Sequence, residues 1–378
     1  MRPNLRCTLA CLMALILAAC GEKAADDGKA AAPPAVAKVL NIYNWSDYVA
    51  EDTVSRFETQ TGIKVVYDVY DSNEMLEAKL LAGSSGYDLV FPSARPFAQR
   101  HVKANLYAPL DRAKLPNWSN LDPAVLAALD DVDPGNLHLM PYMWGTTGIG
   151  YNVAKVRERL GADFPLDSWN LLFDPAVAAK LRDCGVAMLD DEQEGFGAAL
   201  IYLGRDPNAV GGGEIEASSA LFASARPFVR YFHSSKYIDD LANGEICVAM
   251  GYNGDVMQAR DRAEEAGAGV EIAYIIPKEG ALRWFELAAI PADAPHVDNA
   301  LAFINFLLRP DVIAPITNYV SYANPNPASL PLVDPSILED PGIYPPAEVL
   351  KRLVDPKKLP DDESRARVRA WTSIKSGT

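Results

Sequence analysis

Five acidic residues, Asp47, Asp191, Glu194, Asp255 and Glu286, lie at or close to the ends of β-prone runs, and large aromatics accompany several of them. Asp47 sits inside Trp45-Ser46-Asp47-Tyr48. Tyr252 stands three residues before Asp255, and Trp284 two residues before Glu286. A carboxylate beside ring faces suits an organic cation: the acid pairs with an ammonium, and the rings cover an apolar spacer. A single Asp in such a place is ordinarily a helix N-cap, and Ser46 or Asp47 could fill that role. Repetition in both halves of the chain is harder to explain by capping. It suits a long, flexible cation with ammonium groups at intervals, because each buried ammonium needs its own carboxylate. Tyr322, in Val320-Ser321-Tyr322-Ala323-Asn324, reads as a further wall or as core.

Other chemistries fit less well. The four histidines, His101, His138, His233 and His296, are scattered without HxxxH or HExxH spacing, and His233-Ser234 lacks a GxSxG elbow. Gly145, Gly148 and Gly150 do not form an ordered phosphate loop and read as close backbone packing. The acids lack the alternating spacing of a calcium loop, and no CxxC motif suggests zinc. No metal and no cofactor are expected.

The elements that must position these residues alternate strand and helix. Val39 to Asn44 reads as a strand, Asp52 to Gln60 as a helix closed at Gly62, and Ile63 to Tyr70 as a strand. Asp71-Ser72-Asn73-Glu74 resembles a capping box with Asp71 in the cap, and Tyr87 to Phe91 reads as a third strand. This β-α-β-α-β order implies a doubly wound parallel sheet, which binds ligands beyond the carboxyl ends of its strands. Trp45 to Tyr48 and Ser93 both fall at such ends. Pro141 to Asn152 is Gly-rich and β-prone and reads as a segment crossing between lobes. A second α/β pattern follows: strands at Cys184–Leu189, Ile246–Met250 and Val270–Ile276, and a short helix at Tyr237–Ala242. Glu286 is placed in a turn after Pro277-Lys278-Glu279-Gly280.

With 49% hydrophobic and 22% charged residues, the 378-residue chain has material for sizeable cores. Its formal net charge of −15 disfavours nucleic acid and anionic substrates. Arg2 and Arg6 precede an apolar run, Leu9 to Ala19, too short to span a membrane as a stable helix. Leu17-Ala18-Ala19-Cys20-Gly21 resembles a bacterial lipobox, which implies a signal peptide at 1–19, a lipidated Cys20 and a flexible tether at 20–38. After removal of Cys7 and Cys11, Cys184 and Cys247 remain. In an oxidising compartment they read as a disulfide or as two separate buried thiols.

The stretches Ile42-Tyr43-Asn44-Trp45-Ser46-Asp47-Tyr48, Thr61 to Asp68, Pro141 to Asn152, Phe232-His233-Ser234-Ser235, Asp240 to Gly244 and Pro341 to Pro346 resemble the polyamine-binding receptors of bacterial ABC importers. The resemblance runs from about Val39 to Gly377. It implies an α/β fold of the periplasmic binding protein type II class, with two α/β lobes joined by a hinge around a cleft. Lobe 1 is expected from 39–141 plus 260–310, and lobe 2 from 142–259 plus 311–378. It also implies a Cys184–Cys247 disulfide, no enzymatic activity, a polyamine ligand, an inner-membrane ABC permease as partner, and a monomer held to the membrane only by its lipid.

Carried over by position, the resemblance assigns Asp47 and Asp255 to a terminal ammonium, with Glu286 where the family commonly has Asp. Glu194 serves the other end, with Asp191 beside it. Ser46, Ser93 and Ser234 match polar lining positions, and Trp45, Tyr48, Tyr252, Trp284 and Tyr322 match an aromatic box. Trp284 and Asp191 lean towards spermidine over putrescine. Arg95 departs from the family's small or neutral residue; its guanidinium is expected either to pair with Asp191 or Glu194 or to face solvent. A receptor or sensor for another cationic metabolite, with Arg95 meeting a carboxylate on it, is the alternative. An extracytoplasmic amine-acting enzyme is a more distant one.

Overall fold

Val39–Trp45 forms strand β1, and its largely buried side chains read as a central strand covered on both faces. In the computed structural model, which describes residues 38–70, 72–267 and 269–377, β1 is flanked by two parallel neighbours. These are β2 (Lys64–Tyr70) and β3 (Leu89–Val90). The signal segment 1–19, Cys20 and all of the tether except Lys38 lie outside the described residues. The helix Thr53–Thr61 connects β1 to β2 and ends at Gly62, whose φ of 69° lets its N–H reach Glu58 O. The helix Asn73–Ala82 is capped by Ser72, which accepts from Met75 N; the expectation that Asp71 caps it is corrected, Asp71 itself lying outside the described residues. The third strand is also shorter than Tyr87 to Phe91.

The long strand β4, Leu139–Asn152, joins the two halves. Beyond it lie β5 (Val186–Met188), β6 (Val229–Phe232), β7 (Val248–Tyr252), β8 (Ile272–Ile275), β9 (Ala281–Ala289) and β10 (Leu353–Val354). The sheet order is β2-β1-β3-β9-β4-β7-β5-β6, with β8 on β4 and β10 on β9. Residues 139–146 of β4 pair antiparallel with β9, and residues 147–152 pair antiparallel with β7 and β8. The crossing segment is therefore one continuous strand. Its glycines permit close packing: a Cβ on Gly148 would lie 2.3 Å from Ile275 O.

Two main cores flank this crossing. One gathers Leu40, Ile42, Phe57, Phe91, Tyr142, Phe303, Ile316 and Tyr322. The other gathers Trp169, Val186, Met188, Phe196, Tyr237, Val248, Val256 and Ile272. Two elements bear on where the chain passes between these cores. Ala263, Val270 and the strand β8 pack with the second core, β8 pairing with the far half of β4. The helix Pro310–Val320 packs with the first, since its Val312, Ile313, Ile316 and Val320 complete the apolar surface offered by Val297–Leu307. Cys184 and Cys247 precede β5 and β7, which are parallel neighbours, and form a disulfide with Cα atoms 5.4 Å apart.

Candidate ligand-binding site

Sheet register brings the acids and rings together. Ser93 and Glu286 face each other across an isolated antiparallel bridge between the segment after β3 and β9. Glu286 is thus a strand residue rather than a turn residue. Ser93 donates its hydroxyl to Glu286 Oε1, and Trp45 Nε1 donates to Oε2 at 2.9 Å and also reaches Phe91 O. Asn73, at the start of its helix, holds Ser93 through its side-chain amide. Two residues away on the same face of β9, Trp284 lies opposite Gly145 of β4. A Cβ on Gly145 would stand 2.4 Å from the Trp284 ring, so the indole rests directly on backbone.

Asp255 lies in the first turn of the helix Asn253–Ala266, just beyond β7. Tyr322 donates to its Oδ1 at 2.7 Å and Tyr237 to its Oδ2 at 2.8 Å. The Tyr322 ring packs on Gly254, where a Cβ would come within 2.5 Å. From there a chain of rings crosses the site. Tyr322 meets Trp284 at 5.0 Å and Tyr48 at 5.7 Å between centroids, and Trp284 meets Tyr252 at 5.8 Å. The Tyr252 hydroxyl reaches Asp191 Oδ2 at 3.4 Å. Asp191 caps the helix Glu192–Tyr202 by accepting from Glu194 N, and so turns Glu194 into the buried first turn. Ser234, after β6, accepts from Asp190 N.

Burial raises the carboxyls of Asp191, Glu194, Asp255 and Glu286, with Glu286 pushed up to about 8. Among the described residues, no Lys or Arg forms a salt bridge with any of the four. Glu194 Oε2, Tyr48 Oη, Thr147 Oγ1 and Trp284 Nε1 are buried without a hydrogen-bond partner. Glu192, beside the distal pair, is raised to about 7, first by burial and then by Asp191.

Not every expected residue joins this cluster. Ser46 and Asp47 are exposed, and Asp47 has a φ of 52°. Neither caps a helix, because the next helix begins only at Thr53 after Asp52. Arg95 follows neither expected course. It is 9% exposed, pairs with Asp131 and donates to Ala128 O at 2.8 Å. Tyr237, Thr147 and Asn73 were not singled out by the sequence. The register Thr147↔Tyr252 brings Thr147 beside the rings, and no local motif announces it.

Raised carboxyls make stability depend on pH. The folded chain holds protons that the unfolded chain releases from about pH 4.5, so ν for the folded state exceeds ν for the unfolded state between there and about pH 8. The contribution of Glu286 to stability therefore falls as pH rises through that window. Thermal melts of the ligand-free protein should show the unfolding midpoint falling from pH 5 to pH 8.5, and Glu286→Gln should flatten the fall.

A β-α sheet whose long strand β4 joins two halves, with acids and rings converging at strand ends, defines a type II periplasmic solute-binding protein. The profile of the bacterial extracellular solute-binding proteins matches residues 52–345, and the chain belongs to that family. It is 55% identical over 340 residues to the putrescine-binding periplasmic protein SpuD of Pseudomonas aeruginosa, covering 90% of this chain and 92% of that one. It is 54% identical over 341 residues to the putrescine-binding periplasmic protein PotF of Escherichia coli, again covering 90% and 92%. Among solved structures, the spermidine/putrescine ABC transporter substrate-binding protein PotD of Streptococcus pneumoniae superposes with a TM-score of 0.77. It is 26% identical, covering 90% of this chain and 99% of that chain. The chain is thus a binding protein and not an enzyme.

Proposed function

We propose that the protein captures a linear polyamine outside the cytoplasm and delivers it to an inner-membrane ABC permease. The observation that carries this reading is a set of four carboxylates without a cationic partner from the described chain, Glu194 and Glu286 buried and Asp191 and Asp255 half-buried, linked by a continuous row of rings. Ammonium groups at the ends of the ligand pair with Asp255 and Glu286 on one side and with Asp191 and Glu194 on the other. The methylenes lie against Trp284, Tyr252, Tyr48 and Tyr322, with Trp45 and Ser93 holding Glu286 and Ser234 lining the distal edge. In this reading Asp47 and Ser46 meet the ligand from the exposed turn. Relatives named for putrescine support the polyamine class.

Spermidine is accommodated at least as well as putrescine, since four acids exceed what a diamine neutralises and Trp284 offers a long apolar face. The two cores act as lobes that close about β4 and β9, and a lipid on Cys20 holds the monomer at the membrane. The alternative of a ligand carboxylate meeting Arg95 loses its basis, because that guanidinium is committed to Asp131 and Ala128 O. Calorimetry with putrescine, cadaverine, spermidine and agmatine tests the reading. Binding of none of them overturns it; a clear preference for putrescine overturns the spermidine part alone. Because the ligand needs ionised acids, affinity is expected to rise from pH 6 to about 8, with protons released on binding at pH 7.

A further inference from the structure

Tyr237 lies outside the acid-and-ring row, yet its hydroxyl touches two members of it. The residue belongs to the helix Lys236–Ala242, is fully buried, and packs its ring against Gly251, where a Cβ would come within 2.6 Å. Its oxygen accepts the backbone N–H of Tyr252 at 3.0 Å. That bond orients the phenol, whose own hydrogen goes to Asp255 Oδ2 at 2.8 Å. Tyr322 donates to the other carboxylate oxygen at 2.7 Å.

We propose that Tyr237 is a positioning residue that aims the Asp255 carboxylate at the ligand's ammonium, and this rests on the polyamine reading above. Both oxygens of Asp255 are held as acceptors by phenols. Each oxygen keeps a further lone pair for an ammonium. Burial pushes this carboxyl up, and the Tyr322 and Tyr237 hydroxyls push it back down. The two phenols come from different cores, Tyr237 from the second and Tyr322 from the first. Through the Tyr252 backbone, the same hydroxyl also holds the residue whose side chain reaches Asp191. One group thereby sets the geometry of the proximal acid and steadies the ring leading to the distal one.

The test is a double-mutant cycle of Tyr237→Phe and Asp255→Asn, read by calorimetry with putrescine and spermidine at pH 6, 7.5 and 9. Tyr237→Phe keeps the ring on Gly251 and removes only the hydroxyl. It is expected to weaken binding roughly ten- to hundredfold, the range for a hydrogen bond to a charged group. The loss should be larger at pH 6 than at pH 9, because Asp255 then ionises less readily. In the Asp255→Asn background the same change should alter affinity by less than about twofold. Wild-type affinity in Tyr237→Phe, or an equal loss in both backgrounds, overturns the proposal. A destabilised variant does not blur the outcome, since the cycle compares one change in two backgrounds. Failure of the wild-type protein to bind either polyamine overturns the proposed function instead.

Discussion

Asp255→Asn is expected to weaken polyamine binding by roughly 2–5 kcal/mol, a factor of about thirty to several thousand. The substitution keeps size and shape and removes only the charge. Tyr237 must still donate, since its oxygen is occupied by the Tyr252 N–H, so the amide oxygen turns towards it. The amide nitrogen then faces Tyr322, whose hydroxyl can rotate and accept. The fold therefore tolerates the change while the ammonium loses its counter-charge in a site where burial makes an unpaired charge costly. Calorimetry gives the affinity, and a thermal melt shows whether the fold is intact. Unchanged affinity in a folded variant would reduce Asp255 to a structural group of its helix.

Removing the Cys184–Cys247 bridge by a double Ala substitution is expected to lower stability by roughly 2–5 kcal/mol. The bridge joins residues 63 apart and ties β5 to β7 at the start of both strands. The enclosed loop carries Asp191, Glu194, Ser234 and Tyr237, which make up most of the second half of the site. Urea unfolding with and without reductant measures the loss. A change under about 1 kcal/mol would mean that the strand pairing alone holds this region.

Much of this architecture is legible in the sequence because it depends on local pattern. The apolar run of β1, the Gly62 stop and the glycines of β4 each announce their element within a few residues. The acid-and-ring pairs are legible for the same reason, since strand ends are local signals. What escapes is whatever depends on register or on return of the chain. Glu286 reads as a turn residue because Pro277 to Gly280 is a strong turn signal, yet β9 begins immediately after it at Ala281. Arg95 is ambiguous in sequence because its partner Asp131 lies 36 residues on, in a stretch of short irregular elements. Tyr237 reads only as the start of a short helix, and its distance to Asp255 is what shows the use of its hydroxyl. Ser46 and Asp47 carry the side-chain types of a cap or a ligand group, but the backbone after Trp45 turns them outward.

The pairing of Trp284 with Gly145 constrains how this protein can change. The volume of the ring row is set at 284, while its floor at Gly145 is closed to any side chain. Any side chain at 145 collides with the indole while Trp284 is present. Asn253 Oδ1, held by the Thr146 N–H, stands at the same 2.4 Å from such a Cβ, so shortening Trp284 alone still leaves no room for a methyl group. A path towards a different ligand length, by natural drift or by directed evolution, must therefore change 284 and leave Gly145 in place. A library that varies Gly145, alone or beside a smaller ring at 284, should return only damaged proteins, whereas one that varies 284 over an unchanged Gly145 keeps the backbone beneath the rings.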